Sequence, residues 1–310
     1  MEVIRYTSKI SHPICAATIG FFDGVHRGHQ YLIDRVKAVA ERENCHSAVI
    51  TFSVPPQQII NPAFKAQLIS THEEKIEMLS KKGIDECIIL DFDKELSDLS
   101  ARRFMNDILK ERFNVSHLIV GYDHRFGHDR REGYNDYVRY GREIGMSVEA
   151  VPAFEWHDRI ISSSAIRQLL YEGDIEAAND ALGYSYYIKG NVIKGHQLGR
   201  QIGFPTANIA LNSDEKIVPK AGVYAIRVHI NGETYRGMLN IGHRPTVNNG
   251  NDISIEAHIF EFDKDIYNYP ISISFIKYMR EEQKFPSIEV LEQQLKNDKE
   301  EIKKILEIID

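Results

Sequence analysis

The stretch Gly20-Phe21-Phe22-Asp23-Gly24-Val25-His26-Arg27-Gly28-His29, with the segments on its two sides, decides how the first half of this chain folds. The preceding run, 16–22, is apolar and suited to a buried strand. The following segment, 29–42, has apolar residues on one helical face and charged residues elsewhere. The stretch is therefore predicted to be the loop in which a buried strand ends and an amphipathic helix begins.

The same alternation continues along the first half. Apolar runs that predict further strands lie at 48–52, 87–90, 117–122 and 147–154. Helical spacing recurs at 71–82, where Ser70 or Thr71 is a candidate N-terminal cap, and at 100–113. Strands and helices that alternate in this way predict a parallel sheet with crossover helices, whose ligands bind beyond the carboxyl ends of the strands. We expect a doubly wound α/β domain here.

The second half has a different pattern. Runs rich in β-branched and aromatic residues lie at 184–194, 223–230, 233–241, 253–262 and 271–278. Asn231-Gly232 between two of these runs is a strong signal for a two-residue hairpin turn. Such closely spaced strands predict a small antiparallel barrel. An apolar stripe along 287–309 predicts a C-terminal helix that packs on the barrel.

Composition limits the class of protein. The chain has 310 residues, 43% of them hydrophobic and 27% charged, which argues against disorder and for two domains. No apolar stretch approaches the roughly 18–20 residues of a membrane span, and no secretory signal is apparent. A net charge of −7 disfavours broad binding to nucleic acid or anionic lipid. Three cysteines without a CxxC pair indicate reduced thiols, so we expect a cytoplasmic protein.

The loop of the first half carries residues that suit a phosphate. Small residues at Gly20, Gly24 and Gly28 let backbone N–H groups approach it, and the helix N-terminus adds a positive dipole end. His26 and His29 can face one ligand and donate hydrogen bonds to its oxygens. Their HxGH pattern is typical of adenylyl- and cytidylyltransferases, which align ATP with a second phosphate without a covalent intermediate. The alternative is a glycine turn with two unrelated surface histidines.

Two further segments of the first half support a ligand site. In 161–167, three hydroxyls at a predicted helix start, followed by Arg167, can hold a triphosphate, although ordinary N-capping is the alternative. In 120–127, Asp123 can hold a hydroxyl or ring group of a substrate, and Phe126 can pack on a flat ring. A solvated loop is the alternative there.

The second half has phosphate chemistry of its own. Glycine is dense in 190–203, which lets a backbone wrap a nucleotide, and no P-loop motif occurs. Thr206 and Asn208 offer oxygen ligands that suit Mg²⁺. Glu256 lies between apolar residues of a predicted strand, where it can act as a base on a hydroxyl or simply be exposed.

Together these motifs resemble the prokaryotic bifunctional riboflavin kinase/FAD synthetase family, nearly end to end. The segments GFFDGVHRGH, VGYDHRFG and ISSSAIR resemble its FMN adenylyltransferase module, and GRQIGFPTAN, NIGHRPT and IEAHIFEFD its riboflavin kinase module. GFPTAN is close to diagnostic, whereas HxGH specifies only the superfamily. The resemblance implies a Rossmann-like nucleotidyltransferase domain over 1–183 and a β-barrel kinase domain with a C-terminal helix over 184–310.

The resemblance also implies two reactions. Riboflavin and ATP give FMN and ADP at the barrel, where Glu256 is the base and Thr206 and Asn208 hold Mg²⁺. FMN and a second ATP give FAD and pyrophosphate at the α/β site, where His26 and His29 stabilise the reacting phosphates. Riboflavin, FMN and ATP are then the partners, with no nucleic acid, membrane or obligate protein partner evident.

Binding residues follow from the same resemblance. In the adenylyltransferase, ATP is expected at Gly20, Phe21, Asp23, Gly24, Gly28, Ser162, Ser163, Ser164 and Arg167, and the flavin at Asp123 and Phe126. In the kinase, ATP is expected at Gly190, Gly195, Gly199, Arg200, Gly203, Pro205, Thr206 and Asn240, and the flavin at Arg280.

Several positions depart from the family's pattern. Pro55 stands where the family's TFxPHP motif has its histidine, and His124 stands where a phenylalanine is usual. In the kinase half, Ile266-Tyr267-Asn268 replaces the usual Leu-Tyr-Gly. The first two changes concern flavin placement in the adenylyltransferase more than ATP binding. One alternative is therefore a kinase whose synthetase domain is weakened or lost. Another is a flavin- or nucleotide-binding regulator without turnover, and a third is a nucleotidyltransferase with a different acceptor, which leaves GFPTAN unexplained.

Overall fold

The computed structural model describes residues 1–5, 12–61, 63–122, 124–128, 131–156, 159–195, 199, 202–244 and 252–309. They belong to two compact units, Met1–Ser163 and Ser164–Asp310. The second unit includes the helices that precede the barrel, because these helices are bonded to it: Asn179 Nδ2 donates to Phe275 O at 2.9 Å, and Lys220 N donates to Leu170 O at 3.1 Å. The predicted domain boundary after residue 183 stays a prediction.

A six-stranded parallel sheet forms the centre of the first unit. Its strands are β1 (Glu2–Arg5), β2 (Cys15–Ile19), β3 (His46–Phe52), β4 (Glu86–Leu90), β5 (Val115–Gly121) and β6 (Ser147–Val151). Their order is β1-β4-β3-β2-β5-β6, so the chain winds outward from β2 in one direction and then from β5 in the other. A short hairpin, β7 (Glu155–Trp156) and β8 (Arg159–Ile160), follows. The predicted doubly wound α/β fold is confirmed, with the switch point between β2 and β5.

Helices connect the strands of this sheet. They are α1 (Arg27–Glu43), α2 (Pro56–Ile60), α3 (His72–Ser80), α4 (Lys94–Ser97), α5 (Ala101–Arg103), which continues as a π-helical segment (Phe104–Lys110), and α6 (Tyr134–Ile144). The predicted cap is confirmed at Thr71, whose side chain accepts from Glu74 N while the Glu74 carboxylate accepts from Thr71 N. The sequence patterns did not predict β1 or α6.

Both faces of the sheet are buried, as apolar strand runs require. On one face, Ile50, Ile88 and Leu118 belong to a core cluster with the π-helical segment. On the other, Val49 and Cys87 belong to a cluster that includes residues of α1 and α3. A parallel sheet covered on both sides has nearly continuous hydrophobic strands, which is why the strands were readable from the sequence.

The second unit contains a closed antiparallel barrel. Helices α7 (Ser163–Glu172) and α8 (Ile175–Leu182) are followed by β9 (Tyr187–Ile193), β10 (Ala207–Leu211), β11 (Gly222–Ile230), β12 (Glu233–Arg244), β13 (Asp252–Ile259), β14 (Pro270–Arg280) and α9 (Ile288–Ile309). The barrel closes in the order β10-β13-β12-β11-β14-β9. Asn231 and Gly232 have φ of 51° and 82°, as the predicted hairpin turn requires.

Helix α9 covers one side of the barrel. Its Ile302 and Leu306 are fully buried and belong to a cluster with Met238, Phe260 and Ile276. The predicted barrel with a packed C-terminal helix is therefore confirmed. None of the helices in the described ranges is both long enough and apolar enough to cross a membrane.

Candidate active sites

The loop after β2 is held in an unusual backbone conformation. Phe22, Gly24 and Val25 have positive φ of 56°, 75° and 38°. The Asp23 carboxylate stabilises the loop by accepting from the N–H groups of Ile69 and Ser70, each at 3.0 Å. Asp23 is 2% exposed. The Asp23 carboxylate therefore ties the loop to the segment before α3. Its predicted contact with ATP stays a prediction.

His26 and His29 are stacked at the start of α1. Their ring centroids are 3.6 Å apart, with planes inclined by 18°, and His26 Nδ1 accepts from His29 N at 3.3 Å. Because Nδ1 of His26 accepts, the proton of its neutral ring lies on Nε2. Burial, followed by the neighbouring His26 and Lys75, holds the pKa of His29 well below its usual value. His29 is therefore neutral at pH 7.

A buried lysine, Lys75, lies behind the histidine loop. Its Nζ donates to Phe21 O at 3.0 Å and to Phe52 O at 2.8 Å, and is 4.1 Å from the Phe21 ring centroid. Lys75 is 2% exposed, and burial lowers its pKa to about 8, although Asp23 acts in the opposite sense. This residue joins the carboxyl ends of β2 and β3. Sequence reasoning missed it, although its spacing of four from Leu79 puts both on one face of α3.

A cavity of about 270 Å³ opens at the switch point of the sheet. Among the predicted site residues, its lining includes Gly20, Phe21, His26, Gly28, His29, Ser162 and Ser163. The loops after β2, β5 and β6 therefore meet here, as the strand-end rule requires. Asp23 and Gly24 are absent from the described lining, but Ser163 Oγ donates to Asp23 O at 3.1 Å. Ser164 and Arg167 belong to the second unit, so their role at this cavity stays a prediction.

In the first unit, the two residues predicted to contact a flavin are Asp123 and Phe126. Asp123 lies outside the described residues. The Phe126 ring is stacked on Tyr137, with centroids 4.2 Å apart, and Tyr137 Oη accepts from Phe126 N at 3.0 Å. The described cavity lining does not include Phe126. Phe126 is therefore half-buried, with its ring packed on Tyr137 against the core cluster. Its predicted contact with a flavin stays a prediction.

Aromatic side chains that the sequence patterns did not single out line the same cavity. Tyr31 and Phe154 lie in its wall with ring centroids 5.3 Å apart. Beside them, the Arg27 guanidinium is 4.4 Å from the ring centroid of Trp156. These flat surfaces suit a planar ring. Tyr31 lies on α1 and Phe154 lies in the irregular segment after β6. Because these two segments share no sequence pattern, the sequence did not predict that the two rings would meet.

A second cluster of polar residues crosses three strands of the barrel. In the register of β10, β13 and β12, Glu256 is directly opposite Asn208 on one side and Asn240 on the other. Residues directly opposite in a sheet have their side chains on the same face. Thr206 Oγ1 donates to Glu256 Oε2 at 3.3 Å, and Asn240 Nδ2 donates to Glu282 Oε1 at 3.4 Å.

A cavity of about 700 Å³ lies beside this cluster. The predicted residues that line it are Gly199, Thr206, Asn240, Glu256 and Arg280. Its wall also contains residues that the prediction lacked, namely His258, Glu282, Phe285, Ile288, Leu291 and Leu295. Several of these lie between β14 and the first turns of α9, a region whose sequence has no motif of the kinds considered above. The candidate base Glu256 therefore faces a cavity large enough for a small-molecule substrate.

The remaining predicted residues around the barrel support its backbone. A Cβ on Gly195 would lie 2.1 Å from Asn208 Nδ2, and one on Gly190 would lie 2.3 Å from Ala210 O. Gly203 has a positive φ of 78°. The two close approaches and this turn exclude larger side chains. Arg200 lies outside the described residues.

The donor set at Glu256 fits a hard cation only in part. No group of three or more His, Cys, Asp or Glu side chains in the described ranges could hold a metal ion. The oxygens beside Glu256 include those of Thr206 and Asn208. Mg²⁺ uses one or two such ligands and takes the rest from water and phosphate, so these residues fit a cation that arrives with a nucleotide.

Arg280 has a partner on α9. Its Nη2 donates to Asp298 Oδ2 at 2.7 Å and its Nε to Asp298 Oδ1 at 3.1 Å. The Asp298 side chain is 5% exposed and that of Arg280 is 17% exposed, so the carboxylate is buried and the guanidinium is half-buried. Although Arg280 lines the cavity, its guanidinium joins the end of β14 to the C-terminal helix. Its predicted contact with a flavin stays a prediction.

Comparison with known proteins covers both units. A family model for FAD synthetase matches residues 8–165, and one for riboflavin kinase matches 182–306. The chain is similar to proteins named bifunctional riboflavin kinase/FMN adenylyltransferase. The Bacillus subtilis protein is 37% identical, with 91% of this chain and 90% of the relative covered. The Haemophilus influenzae protein is 36% identical, with 98% of each covered. A solved structure described as a macrolide-efflux protein from Streptococcus pneumoniae is 31% identical, with a TM-score of 0.89 over 97% of this chain and 98% of that one.

Proposed function

The chain belongs to the bifunctional riboflavin kinase/FMN adenylyltransferase family, and we propose that its two cavities carry out the two reactions of that family. Riboflavin and ATP give FMN and ADP in the barrel, and FMN and ATP give FAD and pyrophosphate at the parallel sheet. The observation that carries this proposal is that one chain has two separate polar centres, the stacked His26–His29 pair and the Thr206–Glu256 pair, each in its own cavity.

In the kinase, Glu256 acts as the base. Its carboxylate accepts the proton of the terminal ribityl hydroxyl while that oxygen attacks the γ-phosphorus of ATP, and ADP leaves. The hydrogen bond from Thr206 to Oε2 of Glu256 fixes the carboxylate, and the second carboxylate oxygen remains as the proton acceptor. A base held within hydrogen-bond reach of its substrate contributes about 10²–10⁴-fold to the rate.

Thr206 and Asn208 are proposed to hold Mg²⁺ together with phosphate oxygens of ATP. The bound ion would neutralise charge that develops on the transferred phosphoryl group. Asn208 is buried against Gly195, which fixes the position of its amide. The hydroxyl of Thr206 then has to serve both the carboxylate and the nucleotide, so small movements of this residue affect both.

In the adenylyltransferase, the phosphate of FMN attacks the α-phosphorus of ATP and pyrophosphate leaves. Nε2–H of His26 is a donor for these phosphates, and the neutral ring of His29 keeps one N–H donor as well. The N-terminus of α1 adds backbone donors and a positive dipole end. The hydroxyls of Ser162 and Ser163 at the cavity wall are proposed to bind the triphosphate.

A product assay tests the proposal. The full-length protein is incubated with riboflavin, ATP and Mg²⁺, and flavins are separated by chromatography and identified by mass, with chelator as the control. We expect FMN to form first and FAD to follow, and both to stop with chelator. FMN that accumulates without FAD would support a kinase with an inactive synthetase unit. Riboflavin that remains unconverted, with neither FMN nor FAD formed, would refute the proposal.

A further inference from the structure

His258 is a buried histidine that the two reactions above do not use. It lies on β13 two residues after Glu256, so the two side chains are on the same face of the strand. It is 6% exposed and lines the same cavity as Glu256. Nδ1 of His258 is 2.8 Å from Pro205 O. Because a carbonyl oxygen only accepts, Nδ1 carries the hydrogen and donates to it.

The other ring nitrogen of His258, Nε2, does not take part in a comparable hydrogen bond within the described ranges. Nε2 is buried and has no hydrogen-bond partner in the described part of the chain. Burial lowers the pKa of the ring, the hydrogen bond to Pro205 O opposes this effect, and Lys299 on α9 adds to it. An unpaired polar atom destabilises a core, and an apolar side chain of the same shape would avoid this. The hydrogen bond to Pro205 is therefore what a histidine adds at this position.

The carbonyl that His258 holds belongs to a short turn. On one side, Phe204 N donates to Gly199 O at 2.8 Å, and on the other, β10 begins at Ala207. Pro205 has no N–H group, so its carbonyl is the one backbone group through which this residue can be tethered. The next residue is Thr206, whose hydroxyl donates to Glu256 Oε2 at 3.3 Å. The ring thus anchors the turn from the strand that carries the base.

We infer that His258 is a positioning residue for the phosphoryl transfer in the barrel. Its Nδ1–H holds the Pro205 carbonyl, and this sets the Thr206 hydroxyl against Glu256 and against the phosphates and cation of the nucleotide. The inference rests on the proposed kinase function. His258 is not itself expected to touch the reacting atoms, since Nδ1 is bonded to Pro205 O and Nε2 is buried.

Two amide substitutions separate this role from simple packing. In His258→Asn the amide nitrogen occupies the place of Nδ1, so the bond to Pro205 is retained. In His258→Gln the amide nitrogen occupies the place of Nε2, so that bond is lost. Both amides are polar and smaller than the ring, and His258→Leu removes both nitrogens while filling similar space. FMN formation is measured over ranges of riboflavin, ATP and Mg²⁺ concentration.

We expect the Gln and Leu variants to lose about 10- to 100-fold in kcat/KM for ATP, since misplacing a ligand group by an ångström has effects of this size. These two variants should also need a higher Mg²⁺ concentration to reach half of their maximal rate. The Asn variant should stay within about fivefold of the wild type. The KM for riboflavin should change little. FAD formation from supplied FMN should be the same in all variants.

Equal losses in the Asn and Gln variants would overturn the inference, as would a loss confined to kcat with unchanged dependence on ATP and Mg²⁺. Thermal unfolding identifies a variant that is merely unstable, and the Asn–Gln comparison still decides if the Leu variant fails to fold. A wild-type protein that makes no FMN would instead refute the proposed function itself.

Discussion

Lys75 provides a stability prediction whose size follows from its surroundings. Lys75→Met keeps the length of the side chain but removes the charge and the hydrogen bonds to Phe21 O and Phe52 O. Burial lowers the pKa of Lys75 from 10.5 to about 8, so keeping the charged form in the folded protein costs about 3 kcal/mol. That cost is present in full below the pKa that Lys75 has in the folded protein, about 8. It disappears as the pH rises to 10.5, the pKa of the lysine in the unfolded chain. The wild type should therefore gain about 2 kcal/mol in unfolding free energy, relative to Lys75→Met, between about pH 7 and pH 9.5.

The assay for this prediction uses the single tryptophan of the chain. Trp156 lies in the same unit as Lys75, so its fluorescence during urea unfolding reports on that unit. Tyrosine ionisation affects both proteins equally and cancels in the difference. Lys81→Met is the matched control, since the Lys81 side chain lies just after the same helix and is 69% exposed. A difference between wild type and Lys75→Met that is equal at both pH values, or that shrinks as the pH rises, would refute the reasoning.

Three further predictions concern the two sites and the barrel. His29→Ala removes one preorganised donor, and FAD formation should fall by about 10²- to 10³-fold while FMN formation from riboflavin is unchanged; a parallel fall of both rates in a folded variant would contradict the two-site assignment. Glu256→Gln should lower FMN formation by about 10²- to 10⁴-fold and leave the conversion of supplied FMN to FAD intact, which chromatography of the flavins measures. Asp298→Asn leaves the half-buried Arg280 without its charge partner and should lower the unfolding free energy by about 2–3 kcal/mol, less than the loss for a fully buried pair. In a double-mutant cycle with Arg280→Gln, the second substitution should add little, and strict additivity would show that the pair does not interact.

Local patterns account for much of what could be predicted. The alternation of buried strands with amphipathic helices, the Asn231-Gly232 turn and the HxGH loop are each contained within a few neighbouring residues. Such features predicted the parallel sheet, the barrel and the helix α9. Together with the family resemblance, they predicted a minority of the residues that line the two cavities. The edge strand β1 was missed because it has four residues, of which only Ile4 is buried.

Local patterns could not predict hydrogen bonds between residues that are distant in the sequence. A motif places His26 beside His29, but it does not say that Lys75 reaches the ends of two strands. Nor does it say that His258 donates to a carbonyl 53 residues earlier. A motif also does not say that the Asp23 carboxylate accepts from Ile69 N or that the Phe126 ring packs on Tyr137, since folding brings these partners together. By itself, the amino-acid sequence determined the two folds and where their ligand loops lie, because periodicity and turn chemistry act over short distances. The tertiary structure alone decided which polar groups face the cavities and which hold the loops in place, because each buried donor needs an acceptor that folding brings from elsewhere in the chain.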